Sequence, residues 1–213
     1  MTAPIVTVRG EAELQGPADL ATLTCTLHAS GGSAETVRGQ LAIGSQAVAE
    51  LLGQFASALE RHNTSGLHVS PEFHRRAPAK ITGYRGTYST TVVVADFEAL
   101  SPLIMGLSRL PGSQLDGPWW SLRPDNPMFR EVRIAAISDA RRRADDYAAA
   151  FGATVAELVE VSDLDGGFSG GGMRAMAMEM AADDATFAFE PEEQTVSGHV
   201  TVRFTVRGGS AGG

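Results

Sequence analysis

Residues 127–151 read PMFREVRIAAISDARRRADDYAAAF. The ends of this stretch declare a helix. Asn126 can cap it, Pro127 suits a first helical residue, and Gly152 stands just past the last periodic position. Val132, Ile137, Ala140, Ala144, Tyr147, Ala148 and Phe151 form the predicted buried stripe. Arg141, Arg142, Arg143, Asp145 and Asp146 fall mostly on the opposite, solvated face. A run of mixed charges on a helix is ordinary surface, so these arginines are not read as a nucleic-acid patch.

Working outward, TVAELVEVSDL (154–164) after the helix is predicted as a strand. EQTVSGHVTVRFTVRGG (193–209) alternates strictly from Val196 through Val200, Val202, Phe204 and Val206, the pattern of a half-buried final strand. At the other end, PIVTVRGEAEL (4–14) and LATLTCTLHASG (20–31) also alternate, and Gly16-Pro17 between them predicts a hairpin. A long helix is predicted from Ala34 to Arg61, capped by Ser33, with an apolar stripe through Val37, Leu41, Val48, Leu52, Phe55 and Leu59. LHVSPEFHRR (67–76) and ITGYRGTYSTTVVVAD (81–96) read as two strands around a polar hinge. A short helix capped by Asp96 follows, and then a short strand through GSQLDGPWWSLRP (112–124).

The element order is therefore ββαββαβαββ. Without a regular βαβ repeat, it predicts an α+β fold with a largely antiparallel sheet and packed helices. A chain of 213 residues with 43% hydrophobic content can bury a sizeable core in a single domain, here 1–207, before the flexible glycine-rich tail 208–213.

Charge narrows the function classes. The formal net charge is −8, which excludes a general nucleic-acid binder. Residues 155–193 hold ten acids and one arginine, so the acidity is regional. No run of 18 apolar residues exists, hence no transmembrane helix is expected. Cys25, the one cysteine, lies in an alternating strand pattern and reads as a buried small hydrophobe. The opening MTAPIVTVRGEAEL lacks the basic and apolar regions of a signal peptide, and the expectation from it is a cytoplasmic protein.

DGGFSGGGMRAMAMEMAADDATF (165–187) interrupts the strand pattern and is predicted to be an insertion, spanning about 165–190, before the last strand. Gly167 to Gly171 match G-x-S-x-G around Ser169, with Asp183 or Asp184 and then His199 following in hydrolase order. A nucleophile elbow needs a strand–turn–helix in a parallel sheet, which this element order does not supply, so no catalytic residue is assigned. Met173, Met176, Met178 and Met180 are soft donors of the Cu(I)-binding type, but Cys25 and the five histidines show no ligand spacing. No metal or cofactor is expected. The methionines and Phe187 read instead as an adaptable contact surface. Trp119 and Trp120 are adjacent in a predicted strand, so either one faces the core and the other a partner or solvent, or both are partly buried within the monomer.

Four stretches together resemble the SIMPL domain family: IVTVRGEAELQGPADLATL (5–23), ITGYRGTYSTTVVVADFEAL (81–100), REVRIAAISDARRRADDYAAAFGATVAELVEVSD (130–163) and QTVSGHVTVRFTV (194–206). The resemblance implies a domain with no agreed enzymatic activity and no catalytic residues to carry over. It also implies relatives that are often periplasmic, some tied to oxidative-stress tolerance and some forming large ring-like assemblies. The expectation is thus a non-enzymatic SIMPL-like protein that self-associates or binds an unknown protein partner. The alternatives are a serine hydrolase using Ser169 and a metal-handling protein using Met173 to Met180.

Overall fold

A computed structural model describes residues 3–74, 77–163, 169–170 and 189–208, the side chains of 77–79 and 169–170 excepted. The elements are β1 (Ile5–Gly16), β2 (Leu20–Gly31), α1 (Ala34–Gln54), β3 (Leu59–His74), β4 (Ala77–Val94), α2 (Leu100–Ser108), β5 (Ser113–Ser121), α3 (Met128–Ala150), β6 (Thr154–Ser162), β7 (Ser169–Gly170) and β8 (Gln194–Arg207). Apart from the two-residue β7, this is the expected α+β order. Every pairing among the described strands is antiparallel. The strands form two sheets, β1-β8-β6 with β7 also on β8, and β3-β4-β2-β5.

The described residues group into two compact units. Within them, a terminal unit draws on residues 3–17, 122–163, 169–170 and 193–208, and a central unit on 18–74, 77–121 and 189–192.

This division corrects the predicted β1–β2 hairpin. β1 pairs along its whole length with β8, from Ile5↔Thr205 to Gly16↔Gln194, whereas β2 lies between β4 and β5. Gly16-Pro17 is a crossing from one sheet to the other, because each strand has a longer and better matched partner elsewhere. The two strands read around a polar hinge pair with each other as the β3–β4 hairpin, with Leu59↔Val94 at its base and His74↔Ala77 at its far end.

α1 is shorter than its apolar periodicity predicts. Ser33 Oγ accepts from the Thr36 N–H at 3.1 Å and starts the helix, but it stops at Gln54, where the Phe55 N–H donates to the Leu52 carbonyl. The segment expected to be its last turns is the start of β3. Phe55 and Leu59 satisfy helical spacing equally well as a cap residue and a strand residue, and both still pack against the core. The Ala58 carbonyl accepts from Ala95 and Asp96 N–H, tying the turn to the end of β4.

The central core is large and aliphatic: Leu23, Leu27, Val37, Leu41, Leu52, Val92, Leu103 and Leu107 are among its buried members. Cys25 belongs to it, only 1% exposed, and burial pushes its thiol up to about 11. The terminal core is built differently. α3 lays Val132, Ala136, Ala140, Ala144 and Ala148 against the sheet, a ridge of small residues at four-residue spacing. Val8, Val200, Val202 and Phe204 face it. Ile137 and Tyr147, predicted to face the sheet, are 45% and 58% exposed, and Phe151 is 77% exposed. The reason is distance. A Cβ built on Gly10 of β1 would stand 2.0 Å from the Ala136 carbonyl oxygen and 2.5 Å from the Ala140 nitrogen. Helix and strand backbones approach so closely that alanine is the largest residue the contact admits.

Both ends of α3 follow the sequence reading. Asn126 Oδ1 accepts from the Met128 N–H at 2.9 Å, supplying the cap one residue ahead of the assigned start. At the far end Gly152 takes φ +65°. The Gly152 N–H donates to Ala149 and the Ala153 N–H to Ala148, which satisfies the last carbonyls in a Schellman arrangement.

Candidate functional site

The two tryptophans lie in β5, and both are half-buried. Trp120 belongs to the central core and meets Phe97 edge-on, ring centroids 4.9 Å apart at 75°. Trp119 points to the other face, opposite Thr22 of β2. The chain enters the pair through a cis Gly117–Pro118 bond, with Gly117 at φ +109°. A Cβ there would lie 2.6 Å from the Thr22 carbonyl oxygen, so only glycine fits. Trp119 is not among the residues of that core.

Met173, Met176, Met178, Met180 and Phe187 lie outside the described residues, as do Asp183 and Asp184. Ser169 is placed by its backbone only. It stands in β7, antiparallel to β8 and opposite Ser197, two residues along β8 from His199. That is not the parallel-strand setting of a nucleophile elbow. Among the described residues no group of three or more His, Cys, Asp or Glu side chains could hold a metal ion, and no helix is long and apolar enough to cross a membrane.

Sequence reasoning missed the feature that the terminal unit presents most clearly, the outer edge of β1. Pro4 pairs with Val206, whose N–H donates to the Pro4 carbonyl at 3.0 Å. Along β1 the even-numbered backbone groups therefore point into the ladder with β8, and the odd-numbered ones point outward. At Glu11 the outward N–H is taken by Asp139 of α3, Oδ2 at 3.1 Å. Asp139 is held in place by Arg142 and by Arg143, the latter at 2.8 Å. The Glu11 N–H holds the Asp139 carboxyl below the usual carboxylate range. Loss of hydration opposes this, and Arg142 and Arg143 reinforce it.

Toward the N-terminal end of the same edge the situation reverses. Among the described residues no group partners the outward N–H of Ile5, Thr7 or Arg9. Beside this stretch an open groove of about 510 Å³ is lined by Pro4, Ile5, Val6, Thr7, Tyr147, Ala148, Phe151, Ala153, Val206 and Gly208. Its walls are apolar apart from Thr7, the Tyr147 hydroxyl and backbone groups. Ile5 adds a further exposed apolar side chain, at 41%. The only sequence signal for this groove was Tyr147 and Phe151 at the end of α3, and their apolar character pointed to the core instead.

Of twelve large apolar side chains exposed among the described residues, eight belong to the terminal unit. Ile134 and Ile137 lie on α3, and Leu158, Val159 and Val161 on β6. β6 is the opposite edge of the sheet, and its Glu157 and Glu160 are occupied by Arg207 and Arg203 of β8 at 3.0 and 2.9 Å.

Two antiparallel sheets and three helices define the class: an α+β protein. The chain belongs to the SIMPL family, described as a protein of unknown function (DUF541), whose profile matches residues 6–204. No curated protein matches the sequence. Among solved structures, the chain is similar to an unknown protein from Galdieria sulphuraria, with 15% identity, 85% of this chain and 82% of that chain covered, and a TM-score of 0.23.

Proposed function

We propose that this SIMPL-family chain works without catalysis, by self-association or by binding a protein partner. The observation that carries the reading is the share of exposed large apolar side chains that falls on the terminal unit, eight of the twelve among the described residues, including Ile5, Tyr147 and Phe151 beside one groove. Trp119 and the sequence-derived set Met173, Met176, Met178, Met180 and Phe187 are the further contact candidates on this reading. Solution mass by light scattering tests it. Assemblies heavier than the 22.4 kDa chain support self-association, and a strictly monomeric chain leaves partner binding as the whole of the reading.

The serine-hydrolase alternative has one observation in its favour, the register that sets Ser169 near His199 on neighbouring strands. A fluorophosphonate probe decides it. Covalent labelling lost in Ser169→Ala would replace the non-catalytic reading with the hydrolytic one.

A further inference from the structure

We infer that the open half of the β1 edge pairs with the same edge of a second copy, continuing the terminal sheet across a two-fold axis. The inference rests on the self-association reading and adds the surface and register. An edge strand with unused donors is a template for another strand unless something blocks it. Here the block is local. Asp139 occupies the Glu11 N–H, so strand addition is closed at that point and open from Ile5 to Arg9. The open window has three outward-facing residues, Ile5, Thr7 and Arg9, with Thr7 at its centre.

That geometry suits a copy of itself. In antiparallel pairing about Thr7, each Ile5 stands across from the other copy's Arg9. The two Arg9 side chains are then four residues apart along the strand direction, roughly 14 Å at strand rise. That exceeds the Debye length of about 8 Å at physiological salt. Sliding the register to centre on Arg9 sets Thr7 of one copy across from Glu11 of the other, where Asp139 already occupies the Glu11 N–H, and brings the two Arg9 side chains, each paired with its own Glu11 at 3.0 Å, together. Pairing centred on Glu13, beyond the block, would set like charges directly opposite. The register centred on Thr7 is the one that uses the whole open window, Ile5 to Arg9 on both copies, without reaching the Asp139 block. It also places the added strand beside the groove of Tyr147 and Phe151, giving those exposed rings an apolar neighbour.

Thr7→Pro isolates the edge. The Thr7 N–H points outward and is not used in the ladder with β8, so proline removes the intermolecular donor while leaving the β1–β8 pairing. Tyr147→Glu is the second variant, on a side chain 58% exposed. Leu158→Lys on β6 is the control at the opposite edge. Light scattering of the full chain is expected to give twice 22.4 kDa for wild type and Leu158→Lys, and 22.4 kDa for Thr7→Pro and Tyr147→Glu, with circular dichroism confirming that both remain folded. Folded variants that keep the wild-type mass overturn the β1 pairing and leave self-association standing on another surface. A wild-type chain that stays monomeric overturns both.

Discussion

The two units solve the same problem, a helix on an antiparallel sheet, in opposite ways. The central unit fills its space with leucine and valine, including Leu23, Leu41, Leu52, Leu103 and Leu107. The terminal unit leaves almost no space to fill, because Gly10 lets α3 descend until Ala136 and Ala140 touch the strand. One core depends on volume and the other on closeness. The first should be broken by removing atoms and the second by adding them.

The largest expected effect is therefore Gly10→Val. Its Cβ alone would meet backbone atoms at 2.0 and 2.5 Å, so α3 must lift from β1, at a cost of about 3 kcal/mol or more. Urea denaturation measures this, and a near-wild-type midpoint would show that the two backbones are not locked together. In the central unit the matching change is Leu103→Ala, at 0% exposure, expected to cost about 2–5 kcal/mol through the cavity it leaves. If that cost fell below about 1 kcal/mol, the contrast between the cores would be wrong.

Smaller effects sharpen the account of α3. Asn126→Ala removes the cap on Met128 and should lose about 1 kcal/mol, with Asn126→Ser recovering most of it. Asp139 has its folded pKa lowered, so its stabilising contribution is complete above its unfolded value. That contribution is lost as pH falls below about 4 and through the folded value. Stability measured from pH 7 down to pH 2 should show an acid-side loss that is diminished in Asp139→Asn, and identical profiles would remove the edge-closing role of this residue. Ile137→Ser should be the mildest, within about 0.5 kcal/mol, because the side chain is 45% exposed. A cost of several kcal/mol would restore the predicted stripe.

Much of the fold could be read locally. The alternation from Val196 to Val206 became β8, and Asn126, Pro127 and Gly152 marked α3 to within a residue. What could not be read was anything set by distant contacts. Ile137 and Tyr147 outrank Ala136 by hydrophobicity, and only the approach of Gly10, more than 120 residues earlier, reverses that order. The uninterrupted spacing of Val132, Ala136, Ala140, Ala144 and Ala148 was the one available hint. Phe55 and Leu59 fit a helix until β4 is present to pair with residues 59–74. Strand alternation is local and separates the tryptophan pair, with Trp120 packed on the central core, yet both rings are half-buried, as the second of the two sequence readings has it. The groove at Tyr147 was not, because its walls come from Pro4–Thr7, Tyr147–Ala153 and Val206–Gly208.

The pairing of β1 with β8 also has a consequence in time. Ribosomes deliver chains from the N-terminus, and Gly16 leaves before its partner Gln194 by nearly the whole length of the protein. At bacterial and eukaryotic elongation speeds that interval is roughly 10–35 s. During it the sheet of the central unit, contained in Leu20–Ser121, has every strand it needs, while β1 has none. Nascent β1 must travel as a lone strand, and its outward residues Arg9, Glu11 and Glu13 serve there as charges that discourage premature company.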